Sequence, residues 1–256
     1  MGSAKTLQFS TNNMTQPSNG AILWEGNSLL DNSPIAIILT GLHLPSHNPK
    51  TGLQIQSWII QQDYLPTDAI KYGNDTGTCG NCPLKPSCYI RPMGINNIWR
   101  KYRRGGYPHL DDNMLNRIKR RHQSLRIGSY GEGTAAPFEI WQPLLSAAAN
   151  NTGYTHQWRS CDRRWARYLM ASIENPKDIA KANAMGWRTF RTILSLDFME
   201  PGEMLCRNAQ DKDITCEECR LCCGTNGTAK TNIATPVHGL NWKIQNFKAI
   251  VANFKD

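Results

Sequence analysis

Apolar positions along the chain fall into short runs whose spacing alternates between that of strands and that of helices. Residues 137–149 carry apolar side chains at helical spacing after a proline, and residues 176–185 form a second helical segment that Gly186 ends. Strands that alternate with helices are typical of parallel β/α units. The pattern predicts an α/β fold, and we favour a partial or distorted (β/α) barrel over an open doubly wound sheet. Six segments have the composition or alternation of strands: residues 35–39, 125–130, 152–158, 168–173, 187–194 and 233–237.

The first residues differ in character from the rest of the chain. Residues 1–20 are rich in Ser, Asn, Thr and Gln without an apolar period, and they predict a loose N-terminal arm. Residues 21–256 then form one predicted α/β domain, in which residues 53–62 fit either a strand or a short helix. Neither a dinucleotide-binding glycine fingerprint nor a phosphate-binding P-loop occurs, so the sequence does not support nucleotide binding of those kinds.

Composition changes this picture little. Hydrophobic residues make up 40% of the chain and charged residues 19%, which is ordinary for a folded globular protein. No stretch approaches the ~20 apolar residues that a membrane-spanning helix needs, and the polar N-terminus lacks the apolar core of a signal peptide. We therefore expect a cytoplasmic protein, with no membrane partner.

The nine cysteines carry the strongest chemical signal. In the cytoplasm thiols stay reduced, which argues against a framework of disulfides. Cys161 stands alone, and the other eight fall into two groups, in loops at residues 79–88 and 206–223. Clusters of this kind predict cysteine-rich metal-binding loops.

The loop at residues 79–88 contains Cys79, Cys82 and Cys88. Thiolates are the soft ligands that zinc and iron–sulfur clusters select, and glycine and proline let several sulfurs converge in a short loop. Three local thiolates leave one coordination position unfilled. On zinc this position would take another ligand, and on a cubane cluster it would be one iron open to a substrate or cofactor.

The loop at residues 206–223 contains enough cysteines to close a site. Their C-x9-C-x2-C-x2-C spacing is closer to ferredoxin-type loops than to the paired knuckles of a zinc ribbon. We favour a [4Fe-4S] cluster here and keep zinc as the alternative, so the chain would hold one or two clusters in all. Cys223 could replace its neighbour as a ligand. The four predicted ligands are Cys206, Cys216, Cys219 and Cys222.

Several blocks of sequence carry a resemblance to known proteins: residues 34–41, 45–52, 79–82 with 88–89, 153–158, 170–172 and 186–190. These blocks resemble an uncharacterised family of cysteine-rich proteins encoded by bacteriophages and mobile elements. The resemblance extends over roughly residues 20–240 and implies a phage origin, but it brings no activity with it.

A cysteine triad that ends in Cys88-Tyr89 and precedes β/α units is also similar to the radical S-adenosylmethionine enzymes. In those enzymes three cysteines hold a [4Fe-4S] cluster whose fourth iron chelates S-adenosylmethionine, and a Gly-Gly-Glu segment after the second strand binds the amino group of that cofactor. Residues 128–132 resemble this segment, which implies that Glu132 binds the cofactor. The downstream group resembles an auxiliary cluster. The usual C-x3-C-x2-C spacing is absent, because this chain has C-x2-C-x5-C.

His156 lies at the end of a predicted strand. Since the carboxyl ends of barrel strands face the active site, we consider it as a metal ligand, proton shuttle or substrate contact. The equal alternative is a packed, hydrogen-bonded histidine. Ser172, Glu174 and Arg188 carry the same ambiguity, and for His238 core packing is favoured.

Much of the net charge of +9 lies in residues 100–126, a candidate nucleic-acid contact. Arginines with interleaved aromatic residues suit contact with phosphates and bases. However, Met114, Leu115 and Ile118 recur at helical spacing. We therefore favour an amphipathic helix with a solvated basic face.

Three hypotheses follow from the sequence. The leading one is a phage-encoded iron–sulfur protein with a scaffold like that of the radical S-adenosylmethionine enzymes, in which the upstream cluster would reduce bound S-adenosylmethionine. The second is a zinc-stabilised nucleic-acid-binding protein. The third is a non-catalytic iron–sulfur protein whose cluster is structural or redox-sensing.

Overall fold

A nine-stranded sheet forms the centre of the computed structural model, which describes residues 18–44, 48–88, 90 and 92–253. The strands lie in the order β1-β2-β3-β4-β5-β6-β7-β9-β8 across the sheet. They are β1 (Gly20–Asn27), β2 (Pro34–Thr40), β3 (Ile55–Gln61), β4 (Ser124–Tyr130), β5 (Asn150–Thr155), β6 (Met170–Ile173), β7 (Thr189–Ile193), β8 (Glu203–Leu205) and β9 (Asn232–Pro236).

The helices are short, and several begin at residues that favour a helix start. Asp111 caps its helix by accepting a hydrogen bond from Met114 N–H (2.7 Å), and Pro66 opens the first helix. None of the described helices has the length and apolar character that a membrane crossing needs. The helices are α1 (Pro66–Lys71), α2 (Thr76–Cys79), α3 (Pro92–Arg103), α4 (Asp112–Arg120), α5 (Phe138–Ala147), α6 (Asp178–Ala184), α7 (Arg207–Gln210), α8 (Cys216–Cys219) and α9 (Asn241–Ala252).

Strand direction divides the sheet into two parts. β1, β2 and β3 pair antiparallel, whereas every pair from β3 onward is parallel. The short connection between β1 and β2 permits only an antiparallel pair, since a parallel pair needs a long crossover. The segment at residues 35–39 is thus a strand, as predicted, but it is not one of the parallel units.

The parallel strands follow one another in sequence across the sheet. From β3 to β7 each new strand is added on the same side, without the reversal that a doubly wound sheet contains. Strands β1 and β8 remain at the two edges. The α/β class predicted from the sequence is therefore confirmed, while the strand pairings describe a sheet with two edges.

One face of the sheet carries most of the apolar core. Ile55 and Leu125 are neighbours in register on β3 and β4, and both are fully buried. Helix α5 packs on this face through Trp141, which is fully buried and meets Trp165 edge-on at 5.7 Å between ring centroids. Burial of such large rings contributes much of the hydrophobic stabilisation of a domain. A smaller cluster on the opposite face joins β2 to α3 through Ile38 and other residues.

The opposite face of the parallel strands is polar. Gln56, Arg126 and Thr152 lie side by side on three adjacent strands, because the register pairs each with the next. All three are buried. An apolar helix cannot cover such a surface without leaving polar groups unpaired, so this face requires a polar covering or a cavity.

The sequence predicted most of the sheet, with clear exceptions. The segment at residues 53–62 is a strand, β3, which resolves the ambiguity of its pattern. Strands β1 and β8 were not predicted, and the latter spans only Glu203–Leu205. Residues 1–17 of the predicted N-terminal arm lie outside the described residues, and Gly20 already begins β1.

Candidate functional site

The polar face of the sheet lines a cavity of about 490 Å³. That volume is within the range of ligand pockets, roughly 300–1,000 Å³. Cys161 lies instead on a separate cavity beside Phe138 and Trp165. The structure therefore brings both predicted cysteine groups to one chamber. The cysteines that line it are Cys79, Cys82, Cys88, Cys206, Cys216, Cys219 and Cys222.

The cysteines are free thiols, and none forms a disulfide. Within the described part of the chain, no three His, Cys, Asp or Glu side chains are grouped so that they could hold a metal ion. The cysteines share a cavity without forming a preassembled metal site. Metal binding by them therefore stays a prediction, which rests on the chemistry of the donors.

The upstream cysteine loop begins where α2 ends. Cys79 is the last residue of α2, and Gly80 then turns the chain with a φ of 57°, a conformation that favours glycine. A 3₁₀ turn at Lys85–Ser87 leads to Cys88, whose N–H donates to the carbonyl of Lys85 at 3.2 Å. This compact turn occupies the longer of the two spacings in the C-x2-C-x5-C motif.

Helix α9 covers this loop. Lys243 Nζ donates to the carbonyl of Cys88, and Asn246 Nδ2 donates to the carbonyl of Pro86 at 2.7 Å. Phe247, on the same helix, is buried and lines the cavity. The C-terminal helix thus holds the upstream loop in place and closes part of the chamber.

Glu132 is joined directly to the upstream loop. Its N–H donates to the carbonyl of Thr78, the residue before Cys79, at 2.6 Å. The preceding residue, Gly131, packs tightly against β3: a Cβ atom at this position would lie 2.7 Å from Cβ of Ile59, and its φ is +81°. Oε2 of Glu132 accepts the His156 N–H at 3.0 Å, whereas Oε1 is buried with no hydrogen-bond partner among the described residues. Burial raises the pKa of this carboxyl group.

His156 lies between Cys82 and Glu174. Its Nε2 is 2.8 Å from Oε1 of Glu174 and 3.8 Å from Sγ of Cys82. Burial alone would lower the pKa of His156, but hydrogen bonds with Cys82 and Glu174 outweigh it and hold the pKa well above its usual range. These two partners therefore favour the imidazolium form of the ring, a positive charge beside the upstream cysteines.

The downstream loop is built around the short helix α8. Cys216 begins this helix and Cys219 ends it, with a capping box formed by Thr215 and Glu218 at its start. Cys216 N–H donates to the carbonyl of Lys50 at 2.8 Å, which ties the loop to the segment before β3. Local sequence thus sets the cysteine spacing, and a distant segment sets the position of the loop.

Arg188, the residue before β7, anchors the same loop. Its Nη1 donates to the carbonyls of Leu221 and Gly224, both at 2.8 Å, and its Nε donates to Thr231 at 2.9 Å. The side chain is only 4% exposed. The sequence left Arg188 open as a site residue, and the structure assigns its guanidinium to these loop carbonyls.

Five of the thiols around the cavity are weakened as acids by burial. Burial raises the pKa of Cys79 and of Cys222 to about 12, and it also raises the pKa of Cys88, Cys216 and Cys219. Protonated thiols are poor nucleophiles, so these five cysteines are not suited to covalent catalysis. A metal that binds them must displace their protons.

Two cations lie at the downstream end of the cavity. Lys50 Nζ is 2.8 Å from Nε2 of His238, and the guanidinium of Arg126 lies 5.7 Å from the centre of the Tyr154 ring. Arg126 belongs to the basic segment predicted for nucleic-acid contact, but it is buried in β4 and lines the cavity. No sequence pattern pointed to Lys50 beyond its place in a turn-rich loop.

The chain matches no protein-family model, no curated protein and no solved structure. The chemistry of the site is therefore inferred from the side chains that line the cavity.

Replacement of Arg188 by Met tests the anchoring of the downstream loop. The change leaves three carbonyl groups, of which that of Gly224 is buried, without their charged donor, and we expect a loss of up to about 3 kcal/mol in the free energy of unfolding. Alkylation of Cys222 in the native protein should become faster. Arg167→Met is the control, since Arg167 is exposed and donates to Asn226. Equal stability and equal Cys222 labelling in both variants would contradict the anchoring role.

The raised thiol pKa values predict loss of stability at alkaline pH in the metal-free protein. Unfolded thiols ionise near pH 9.0, whereas Cys79 and Cys222 keep their protons in the folded state to about pH 12. The unfolded state thus binds fewer protons above pH 9, and stability should fall by up to about 1.4 kcal/mol per pH unit for each such thiol. Denaturant unfolding between about pH 8 and 10.5 measures this slope. Cys222→Ala should flatten the slope, and an identical slope in that variant would refute the assignment.

Proposed function

We propose that this chain is a phage-encoded iron–sulfur protein that binds S-adenosylmethionine in the manner of the radical enzymes it resembles. The observation that carries the proposal is the hydrogen bond from Glu132 N–H to the Thr78 carbonyl (2.6 Å). This contact holds the backbone of Glu132 against the residue that precedes Cys79. Glu132 and the three cysteines line the same cavity. A metal centre held by the cysteines and a carboxylate that can receive an amino group would therefore face the same space.

The order of elements supports the resemblance. The upstream cysteine loop follows β3, the first strand of the parallel series, and Gly131-Glu132 follows β4, the second. The resemblance implies this same order for the cysteine triad and the glycine-glutamate segment. The one-directional strand order from β3 to β7 is also what a partial (β/α) barrel requires, so the barrel remains part of the proposal.

Cys79, Cys82 and Cys88 would hold a [4Fe-4S] cluster with one iron open to the cavity. Oε1 of Glu132, buried and without a partner among the described residues, would accept a hydrogen bond from the amino group of S-adenosylmethionine. When bound, the reduced cluster would supply the electron that cleaves the sulfonium group. The downstream thiols of Cys206, Cys216, Cys219 and Cys222 would hold a second, auxiliary cluster.

The neighbouring side chains suit a thiolate-bound cluster. The imidazolium of His156 lies 3.8 Å from the sulfur of Cys82, so its charge would offset the negative charge of the ligands. Its Nε2 is held by Glu174 at 2.8 Å, and ligation through this nitrogen, the one nearest Cys82, would require His156 to give up that bond. His156 is therefore better suited to charge balance than to closing the cluster.

The free thiols and the absence of disulfides fit the cytoplasm of the host cell, where we place the protein.

Two alternatives use the same cysteines. Zinc could occupy the downstream group of a zinc-stabilised nucleic-acid-binding protein. A cluster without an open iron would make the chain a non-catalytic structural or redox-sensing iron–sulfur protein.

Anaerobic reconstitution with iron and sulfide tests the proposal. The protein should turn brown, and the electron paramagnetic resonance spectrum of its reduced form should change when S-adenosylmethionine is added. Cys88→Ser should abolish that response. Glu132→Gln should keep the cluster but require at least tenfold more S-adenosylmethionine, since the carboxylate charge is lost.

Cys161→Ser is the matched control, because Cys161 lies on the separate cavity and the variant should behave as the wild type. A colourless protein with stoichiometric zinc would favour the zinc alternative instead. If the spectrum of the reduced cluster does not change on addition of S-adenosylmethionine in the wild type or in any variant, the non-catalytic iron–sulfur protein is favoured.

Nucleic-acid binding is a second candidate function, and exposed basic side chains favour it. Arg104, just after α3, is exposed, as are Arg120 at the end of α4 and the adjacent Arg121. If these residues contact phosphates, replacing all three by Gln should reduce the salt dependence of duplex DNA binding by up to about 3 in the log–log slope. Gel-shift titrations at several salt concentrations measure this slope. No binding at low salt would leave these residues as a solvated basic face.

A further inference from the structure

The cavity wall formed by β6, β7 and β9 is polar but uncharged. Arg191, the charged residue of β7, lies on the other face of the sheet and pairs with the fully buried Glu203 carboxylate at 2.6 Å. A molecule that lies against this wall would therefore meet hydroxyl groups and an aromatic ring. The described residues of the three strands that line the cavity are Ser172, Phe190, Thr192, Thr235 and Pro236. The acidic, basic and histidine side chains that line the cavity belong to other segments, and they are Lys50, Arg126, Glu132, His156 and His238.

Two threonine hydroxyls lie side by side on this wall. The register pairs Thr192 of β7 with Thr235 of β9, and both side chains line the cavity. Thr235 is only 6% exposed, and neither hydroxyl has a hydrogen-bond partner among the residues that the structure describes. Buried polar groups in proteins are almost always hydrogen-bonded, so this threonine pair requires partners from the space in front of it.

The polar side chains on β3 and β5, by contrast, have partners within the protein. Oε1 of Gln56 accepts a hydrogen bond from the Ser129 hydroxyl at 2.6 Å, and Nε2 of Gln56 donates to the Gln54 carbonyl at 3.0 Å. The hydroxyl of Thr152 donates to Oε1 of Gln54 at 3.2 Å. These groups are already satisfied, whereas the threonine pair still offers both its donors and its acceptors to a bound molecule.

The threonine pair lies beside the downstream cysteine loop. Cys206 N–H donates to the carbonyl of Ala234, the residue before Thr235, at 2.8 Å. Glu132, which would receive the amino group of S-adenosylmethionine, is joined instead to the upstream loop at Thr78. The two features therefore suit two different molecules, or two distant parts of one molecule.

We infer that the threonine pair binds the two neighbouring hydroxyl groups of a sugar ring, in a molecule other than S-adenosylmethionine. An alcohol both donates and accepts, as each threonine hydroxyl does, whereas a charged group would need a charged partner that this wall lacks. Adjacent strands lie about 4.8 Å apart, so each threonine can reach one of two neighbouring hydroxyls. The ring of Phe190, two residues before Thr192, can pack against the apolar face of the sugar or against an attached base.

The role of this sugar as the substrate rests on the proposed function, but the binding site does not depend on a cluster. The sugar can belong to a free saccharide or to a nucleoside, since both carry neighbouring hydroxyl groups. A rival assignment gives the threonine pair to the ribose of S-adenosylmethionine. The two assignments differ in whether the cofactor displaces the sugar.

Isothermal titration of the metal-free protein with two matched pairs of probes tests the site. One pair is uridine and 2′,3′-dideoxyuridine, and the other is methyl β-D-ribofuranoside and its 2,3-dideoxy analogue. The hydroxylated member of at least one pair should bind at least tenfold more tightly, because the deoxy analogue leaves polar groups of the site unpaired. An advantage in both pairs indicates that a free sugar suffices, and an advantage for uridine alone indicates a nucleoside.

The double variant Thr192→Val, Thr235→Val should remove that advantage, because valine keeps the shape of threonine without its hydroxyl. Thr189→Val is the matched control. Thr189 lies on the opposite face of β7, is fully buried, and has a hydroxyl that also lacks a partner among the described residues. This control should bind the probes as the wild type does, with a melting temperature that reports on the cost of the substitution in the same strand.

No binding of either hydroxylated probe, equal binding of hydroxylated and deoxy probes, or an unchanged advantage in the double variant would overturn the site. Titrations after reconstitution with iron and sulfide separate the remaining outcomes. Displacement of the probe by S-adenosylmethionine would give the threonine pair to the cofactor and overturn the inference while the proposed function stands. Sugar binding by a protein that takes up no metal would support the site while the proposed function fails.

Discussion

The buried polar face of the parallel sheet is the constraint on which the rest of the structure depends. A parallel sheet is normally covered on both faces, and the apolar face here is covered by α5 and its tryptophan contacts. The row formed by Gln56, Arg126 and Thr152 cannot accept a similar helix, because buried polar groups need partners. The two cysteine loops and α9 cover this face instead and leave a chamber between them.

The loops are held by backbone hydrogen bonds rather than by their thiols. Arg188 binds carbonyls of the downstream loop, Glu132 N–H binds Thr78 in the upstream loop, and Lys243 binds the carbonyl of Cys88. The scaffold therefore places the cysteines mainly through their backbone, with additional contacts to sulfur such as that of His156 with Cys82. This leaves the thiols available to an exogenous ligand, at the cost of displacing protons from buried groups whose pKa values are raised.

The sequence predicted what depends on local pattern. Cysteine spacing within each group, the α/β class and the strand that carries Arg126 could all be read from nearby residues. It could not predict that the two groups share a cavity, because that depends on contacts such as the one between Cys216 N–H and the carbonyl of Lys50. Arg126 was counted with the exposed basic residues, since charge alone does not reveal which strand face is buried.

Metal-dependent protection of the cysteines tests the central claim most directly. Native protein is treated with iodoacetamide before and after anaerobic loading with iron and sulfide, and each cysteine is quantified by mass spectrometry. The seven cysteines that line the cavity should become protected on loading. Cys161 lies on the separate cavity and, like Cys79 and Cys222, has a pKa raised to about 12, so it should label at the same rate before and after loading. Unchanged labelling of the seven, or equal protection of Cys161, would contradict the assignment of the chamber as a metal site.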